Sequence, residues 1–224
     1  LLGYVDRDEP LTVGKLRFEN KPVPTLVAYC AFLRLCGECL LVQLADGDFA
    51  VPRLSVDLLF QACFQRMQIE LSAAKRIRDN QINLSPLYEI NEGFESEKDT
   101  DTTQLSTAAI DRDIRFHATM LKLAGMQDQL DVVRRDHHKM ILWNSTIEMP
   151  ERRSDIHKEH IAILNAINQG GDSEILAAFL EHFQAATKRG LERTANPMEV
   201  RAFNRLWEER RIYESDLRNL KHEL

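Results

Sequence analysis

The feature that most constrains this chain is a polar pair set into an apolar helical stripe, Asp113-Ile114-Arg115-Phe116-His117. Asp113 and His117 stand four residues apart, so a helix carries them on one face. The apolar positions around them, Ile110, Ile114, Met120/Leu121 and Ala124, turn that face toward a core. A carboxylate pointing into a core is costly unless something neutralises it. Two more histidines fall inside apolar stripes downstream. His160 lies within Ile156, Leu164 and Ile167, and His182 within Ile175, Phe179 and Ala186. Taken singly, an Asp/His pair one turn apart is ordinarily a surface ion pair, and an inward histidine is ordinarily a satisfied core residue. Four such residues on the inner faces of three successive helices share a simpler explanation, a bound divalent cation. Three neutral imidazoles and one carboxylate suit zinc, nickel or a similar ion and leave room for exchangeable ligands.

A chain of 224 residues makes one large or two modest domains. Hydrophobic content of 44% supplies a core, and a net charge of −6 excludes a chain-wide basic field for nucleic acid, though not a local one. No apolar run is long enough to span a bilayer. The four cysteines, Cys30, Cys36, Cys39 and Cys63, lie in the first third. Cys36 and Cys39 have redox spacing without the strand–turn–helix context of a redox motif, and the cysteines read as buried or boundary thiols of a reducing cytoplasm. The opening residues do not form a signal peptide, and the terminal Lys221-His222-Glu223-Leu224 reads as a chance match to a retrieval signal. A cytoplasmic location is expected.

The first fifty residues alternate short elements. Pro10-Leu11-Thr12-Val13 opens a helical stretch running to about Glu19, with Thr12 as its cap. Pro22 and Pro24 interrupt the chain, and a second helix covers about 25–38. Two β-like runs follow around Asp46-Gly47, a hairpin signal. Helix, turn, helix and hairpin is the order of a winged helix-turn-helix, and equally of a small α+β cap. From Leu54 onward the chain is helical. One helix starts at Ser55-Val56-Asp57 with the stripe Leu59, Cys63, Met67, Glu70/Leu71 and Ala74. Others follow at about 83–92, 104–124, 126–147, 151–169, 172–193 and 198–220. The breaks fall at Gly93 and its polar sequel, Gly125, Pro150, Gly170-Gly171-Asp172 and Asn196-Pro197.

Several of these segments carry a family resemblance. Arg66-Met67-Gln68-Ile69-Glu70, Asp113 through His117, Leu123-Ala124-Gly125, Glu159-His160-Ile161-Ala162-Ile163, Ala166-Ile167, Gly171-Asp172 and His182 resemble the FCD domain, the helical ligand-binding bundle of FadR-type GntR transcriptional regulators. The resemblance covers about 54–193. It implies a mainly α protein: a winged helix-turn-helix over 1–52, then an all-α bundle over 53–224 with an extra C-terminal helix at about 197–220. It also implies that Asp113, His117, His160 and His182 bind one divalent metal, zinc or nickel first. Arg66 is expected either to face the cavity and pair with a carboxylate ligand or to form an ion pair with Glu70. Homodimers are the family's usual state.

Residues 10–16, 23–41 and 47–51 can be laid on the family's winged helix. The family's recognition helix is rich in arginine, whereas here Pro24 through Phe32 contains no cation. Residues 1–52 carry five Lys/Arg against seven Asp/Glu. Since phosphate neutralisation dominates affinity for DNA, this module is expected to bind operator DNA weakly. Lys15, Arg17 and Lys21 are the candidates for phosphate contact, and Thr25 and Tyr29 occupy base-facing positions. His137, His138 and His157 read as surface residues. Phe203, Leu206, Tyr213, Leu217, Leu220 and Leu224 form a heptad-like seam that packs on the bundle or on a partner subunit. The expected function is a non-enzymatic, metabolite-responsive regulator taking a metal and a small carboxylate metabolite. A metal-dependent enzyme is the rival reading. A ligand-binding protein that has lost DNA recognition is the third.

Overall fold

The computed structural model describes residues 10–38, 40–52, 55–96, 107–144, 152–194 and 197–222, with side chains described except at 94–96, 107–109, 143–144, 152–154, 189–190, 192–194 and 210–222. Among these residues the chain is mainly α, a small α+β unit followed by a helical bundle.

The N-terminal unit departs from the expected first helix. Only Val13–Lys15 forms a 3-10 turn, and Thr12 makes no capping bond; its hydroxyl donates to Asp48 Oδ2 at 3.1 Å instead. The chain then forms a hairpin, β1 (Arg17–Phe18) against β2 (Lys21–Pro22). Glu19 and Asn20 both take positive φ, 48° and 63°. Two consecutive left-handed residues between paired strands make a turn whose twist matches the strands, and asparagine tolerates that conformation well. That local preference ends the helix early. Helix α1 (Thr25–Gly37) follows as expected and buries Ala28 and Phe32. The second hairpin, β3 (Val42–Gln43) with β4 (Phe49–Ala50), turns at Asp46-Gly47, where Gly47 has φ of 91°. Phe32, Leu40, Leu41, Phe49 and Val51 make this unit's core, and Leu142 from the bundle completes it.

In the bundle, α2 (Val56–Asp79) is the axis. Ser55 accepts from the Leu58 N–H at its start, and a wide stripe including Leu59, Cys63, Met67, Leu71, Ala74 and Ile77 is buried. Around it pack α4 (Thr107–Leu123), α5 (Leu130–Asn144), α6 (Arg152–Gln169), α7 (Asp172–Thr194) and α8 (Pro197–His222). Helix α3 (Ser85–Ser96) lies between α4 and α6. Gly125, with φ of 68°, closes α4: the Met126 N–H reaches back to Leu121 O at 2.9 Å, the left-handed helix stop that glycine permits. Of the cysteines, Cys63 is buried, Cys36 intermediate and Cys30 exposed rather than at a boundary, while Cys39 lies outside the described residues.

The first half of α8 docks on its own bundle. Phe203 and Trp207 are buried, with Trp207 5.4 Å and Phe203 6.2 Å from the Phe60 ring in edge-on contacts. The sequence seam contained Phe203 but passed over Trp207, and its side chains at 213, 217, 220 and 224 lie outside the described ones. Trp207→Ala should lower stability by about 3–5 kcal/mol. Trp207→Phe should cost much less, because it keeps an aromatic contact and removes an indole N–H that has no partner. Guanidinium unfolding of both variants checks this, and an alanine variant with the wild-type midpoint would show that α8 is not docked.

Candidate metal centre

Each ligand candidate sits where its helix's apolar stripe faces the bundle interior. Helix α4 presents His117 among the buried Phe116, Met120 and Leu121; α6 presents His160 among Ile156, Ile163, Leu164 and Ile167; α7 presents His182 among Phe179, Phe183 and Ala186. One ring nitrogen from each of the three lies within 4.8 Å of those of the other two. The ring centroids form a nearly equilateral triangle with sides of 5.1, 5.2 and 5.1 Å. Asp113, one turn before His117, lies beside this triangle. Its Oδ1 is 3.2 Å from His160 Nε2 and 3.7 Å from His117 Nε2.

The outer nitrogens decide what the inner ones can do. His117 Nδ1 donates to Glu70 Oε2 at 2.5 Å, His160 Nδ1 to Asn91 Oδ1 at 3.3 Å, and His182 Nδ1 to Glu159 Oε2 at 2.9 Å. A proton held on Nδ1 leaves the lone pair of the neutral ring on Nε2. Carboxylate and amide partners of this kind fix ring orientation in metal-ligating histidines. His117 Nε2 and Asp113 Oδ1 are buried and make no hydrogen bond. Converging lone pairs repel one another in a low-dielectric interior unless a proton or a metal cation lies between them. The donor set therefore fits a metal ion, with imidazole nitrogens in the majority and one carboxylate oxygen alongside.

Charge in the surrounding core is arranged in pairs. Arg66 Nε donates to Glu70 Oε1 at 2.6 Å, with both side chains buried. Of the two expectations for Arg66, the ion pair with Glu70 is the contact formed. Its Nη1 lies 3.6 Å from Met140 Sδ, and its guanidinium sits 5.0 Å from the Phe183 ring centroid. Burial raises the Glu70 pKa, yet Arg66 and His117 outweigh it and hold the group at about 2. Burial depresses His160 and His182 to about 3 against the opposing pull of Asp113, so both are neutral. His117 differs: burial and Arg66 push it down, but Glu70 and Asp113 outweigh them and its pKa is raised. Asp113 is held well below the usual carboxylate range, with burial overcome by the imidazoles of His137, His117 and His160.

Sequence reasoning missed four contributors. His137, read as a surface residue, is buried, and its Nε2 stands 2.7 Å from Asp113 Oδ2. The signal was present in the spacing of Val133, His137 and Met140, all buried on one face of α5. His138 and His157 are half-buried rather than on the surface: His138 Nδ1 lies 3.5 Å from Glu38 Oε2, and His157 Nδ1 bonds to Asn91 O at 3.1 Å. Glu70 was legible as a carboxylate in an apolar stripe. Asn91 and Glu159 gave no comparable signal.

The five DNA candidates are all exposed. Lys15 is on the 3-10 turn, Arg17 on β1, Lys21 on β2, and Thr25 and Tyr29 on the first two turns of α1. Arg17 is folded back, with Nη1 donating to Gly14 O at 3.1 Å and Leu16 O at 3.2 Å. The first turns of α1 expose mostly apolar groups beside Thr25 and Tyr29, with Leu26 73%, Val27 58% and Leu33 43% exposed and Cys30 among them, while Arg34 near the helix end is 78% exposed.

The bundle is thus a helical domain with a candidate metal centre at its heart. The FCD domain family matches residues 61–185, and the chain belongs to that family. Among solved structures, the chain is similar to one described by the words "Lar controls the expression of the Listeria monocytogenes agr system and mediates virulence". That similarity has a TM-score of 0.59 at 15% identity and covers 85% of this chain and 90% of that one. No curated protein sequence matches the chain. Among the described residues, no helix is long and apolar enough to cross a membrane. Family and fold together support a transcriptional regulator with a ligand-binding domain.

Acid should destabilise the metal-free chain well above the carboxylate range. His137, His160 and His182 titrate at about 3 in the fold, against about 6.5 in an unfolded chain. Between those values the unfolded state binds up to three more protons, so stability falls with pH by as much as about 4 kcal/mol per unit. Glu70, held at about 2, adds a further loss below its unfolded value. His117 acts oppositely: its contribution is full below its unfolded pKa and is lost as pH rises through its raised folded one. Urea unfolding of metal-stripped protein should show a maximum near neutrality. Flat stability between pH 6.5 and 4.5 would contradict the assignment of neutral, buried imidazoles.

Proposed function

We propose that the protein is a metabolite-responsive transcriptional regulator whose helical domain binds a divalent metal, zinc or nickel, together with a small organic acid. The observation that carries this is the set of three buried imidazoles whose outer nitrogens are all engaged and whose inner nitrogens converge. An ion held by His117, His160 and His182 with Asp113 would offer open positions to a carboxylate of the effector. Arg66 supports the effector indirectly: one edge of its guanidinium is committed to Glu70, and its buried Nη2, which has no hydrogen-bond partner, remains as a donor. Apart from Asp113, itself a ligand candidate, the carboxylates bonded to the converging imidazoles are Glu70 and Glu159, both committed to orienting them. Neither is placed as a separate general base, which favours a binding protein over an enzyme. Helix α5 offers a route from the centre to the N-terminal unit: His137 meets Asp113, while His138 meets Glu38 and Leu142 enters the small N-terminal core. A homodimer, the family's usual state, would place two such units on one operator.

Metal analysis and calorimetry test this reading. Wild type should take up one ion per chain and bind small hydroxy- or keto-acids, and His160→Ala should lose both. Equal acid affinity in the two proteins would remove the metal from ligand binding.

DNA contact through Lys15, Arg17 and Lys21 amounts to about six phosphates per dimer, which gives a log–log salt slope of about −5. Binding should be weak, poorly discriminating, and lost on combining Lys15→Ala with Arg17→Ala, as a mobility-shift titration across salt will read. The second reading, a ligand-binding protein that has lost DNA recognition, is favoured by the mostly apolar groups that the first turns of α1 expose. No binding at any salt would select it, whereas tight binding insensitive to salt would overturn the phosphate assignment.

A further inference from the structure

We infer that His137 is a positioning residue for the metal centre: its N–H clamps one oxygen of Asp113 so that the other is presented to the ion as a single-oxygen ligand. The inference rests on the metal reading above and adds a residue to it. Asp113 is the most exposed member of the cluster, at 17%, and sits at the rim of the triangle rather than inside it. An aspartate there can rotate about its side-chain bonds and turn either oxygen, or both, toward an ion. Its Oδ2 lies 2.7 Å from His137 Nε2, and its Oδ1 lies 3.2 Å from His160 Nε2. The two oxygens therefore face different groups, only Oδ2 is bonded, and the rotation is fixed by a group on another helix.

His137 suits that task because it is itself immobilised. It is 4% exposed, lies on the face of α5 that carries Val133 and Met140, and its ring stands edge-on to His117 with centroids 5.8 Å apart. With Asp113 ionised, the bond runs from His137 Nε2–H to Oδ2. Oδ2 is thereby occupied and its charge partly balanced, while Oδ1, which has no hydrogen bond of its own, stays directed at the imidazoles. Outer partners of metal ligands act in this way, by limiting the orientations a ligand samples before the ion arrives.

The test compares zinc affinity by competition with a chelating dye, and the visible spectrum of cobalt(II)-loaded protein, across wild type and four variants. His137→Leu removes the donor, and zinc affinity should fall by about 10- to 100-fold, the usual consequence of losing an outer partner. Its cobalt spectrum should change as the carboxylate ligand is loosened. His137→Gln keeps an N–H donor at similar reach and should recover most of the affinity and the wild-type spectrum, which a merely space-filling role would not predict. Asp113→Asn combined with His137→Leu should bind no more weakly than Asp113→Asn alone, since the clamp has nothing left to position. Thermal melts of the metal-free variants control for folding. His137→Asn, whose amide is too short to hold Oδ2, replaces the leucine variant if that one does not fold. Unchanged affinity and spectrum in the donor-lacking variant would overturn the inference while leaving the metal reading intact, and so would losses that simply add. Wild type that takes up neither zinc nor cobalt would overturn both.

Discussion

The structure depends on a buried carboxylate. Glu70 lies on the central helix with no exposure, between the guanidinium of Arg66 on one side and the imidazole of His117 on the other. An isolated ion at such a place is untenable, so each of the three groups is needed by the others. Because Arg66 and Glu70 are one turn apart on α2, the positive charge travels with the negative one, and helix formation alone brings them together. His117 comes from α4, so the third contact exists only once α2 and α4 have packed. The cluster thereby ties the register of two helices to the orientation of one imidazole.

The same logic extends outward. Each converging imidazole is held by a group from a different helix: Glu70 from α2, Asn91 from α3 and Glu159 from α6. The rings' positions are therefore set by the packing of the bundle and not by the loops between helices. Side chains held this way are preorganised, and would lose little freedom on taking up an ion. It is also sensitive to helix movement, because sliding any one helix would break one outer bond. Helix α5 touches the cluster through His137 and Met140, and the N-terminal unit through His138 and Leu142, within six consecutive residues. A small displacement of that helix is felt at both ends.

The N-terminal unit shows chemistry at odds with the usual demands of DNA. Of its exposed cations, Lys15, Arg17 and Lys21 sit on the 3-10 turn and the first hairpin, and Arg34, in the last turn of the helix that a winged helix-turn-helix would insert into a groove, is paired with Glu38. That helix turns leucine, valine and cysteine outward, groups that make no hydrogen bond to base edges. The unit's own core is small and borrows Leu142 from the bundle, so its placement is fixed by packing against α5.

Periodicity alone located α2, α6 and α7 and the inward positions of His117, His160 and His182, because an amphipathic helix records its buried face every three to four residues. It located the Asp46-Gly47 hairpin, since an Asp-Gly turn is a local event. It missed the β1–β2 hairpin, where Glu19-Asn20 carries a weaker form of the same signal and short helical periodicity prevailed. What the sequence could not assign was partnership. Whether Arg66 would meet Glu70 or a ligand, whether His137 would face water or Asp113, and which groups would orient the imidazoles all depend on how helices distant in the chain pack and rotate against one another. Those rotations follow from the fit of whole faces, α2 against α5 and α3 against α6, a property that no single segment carries.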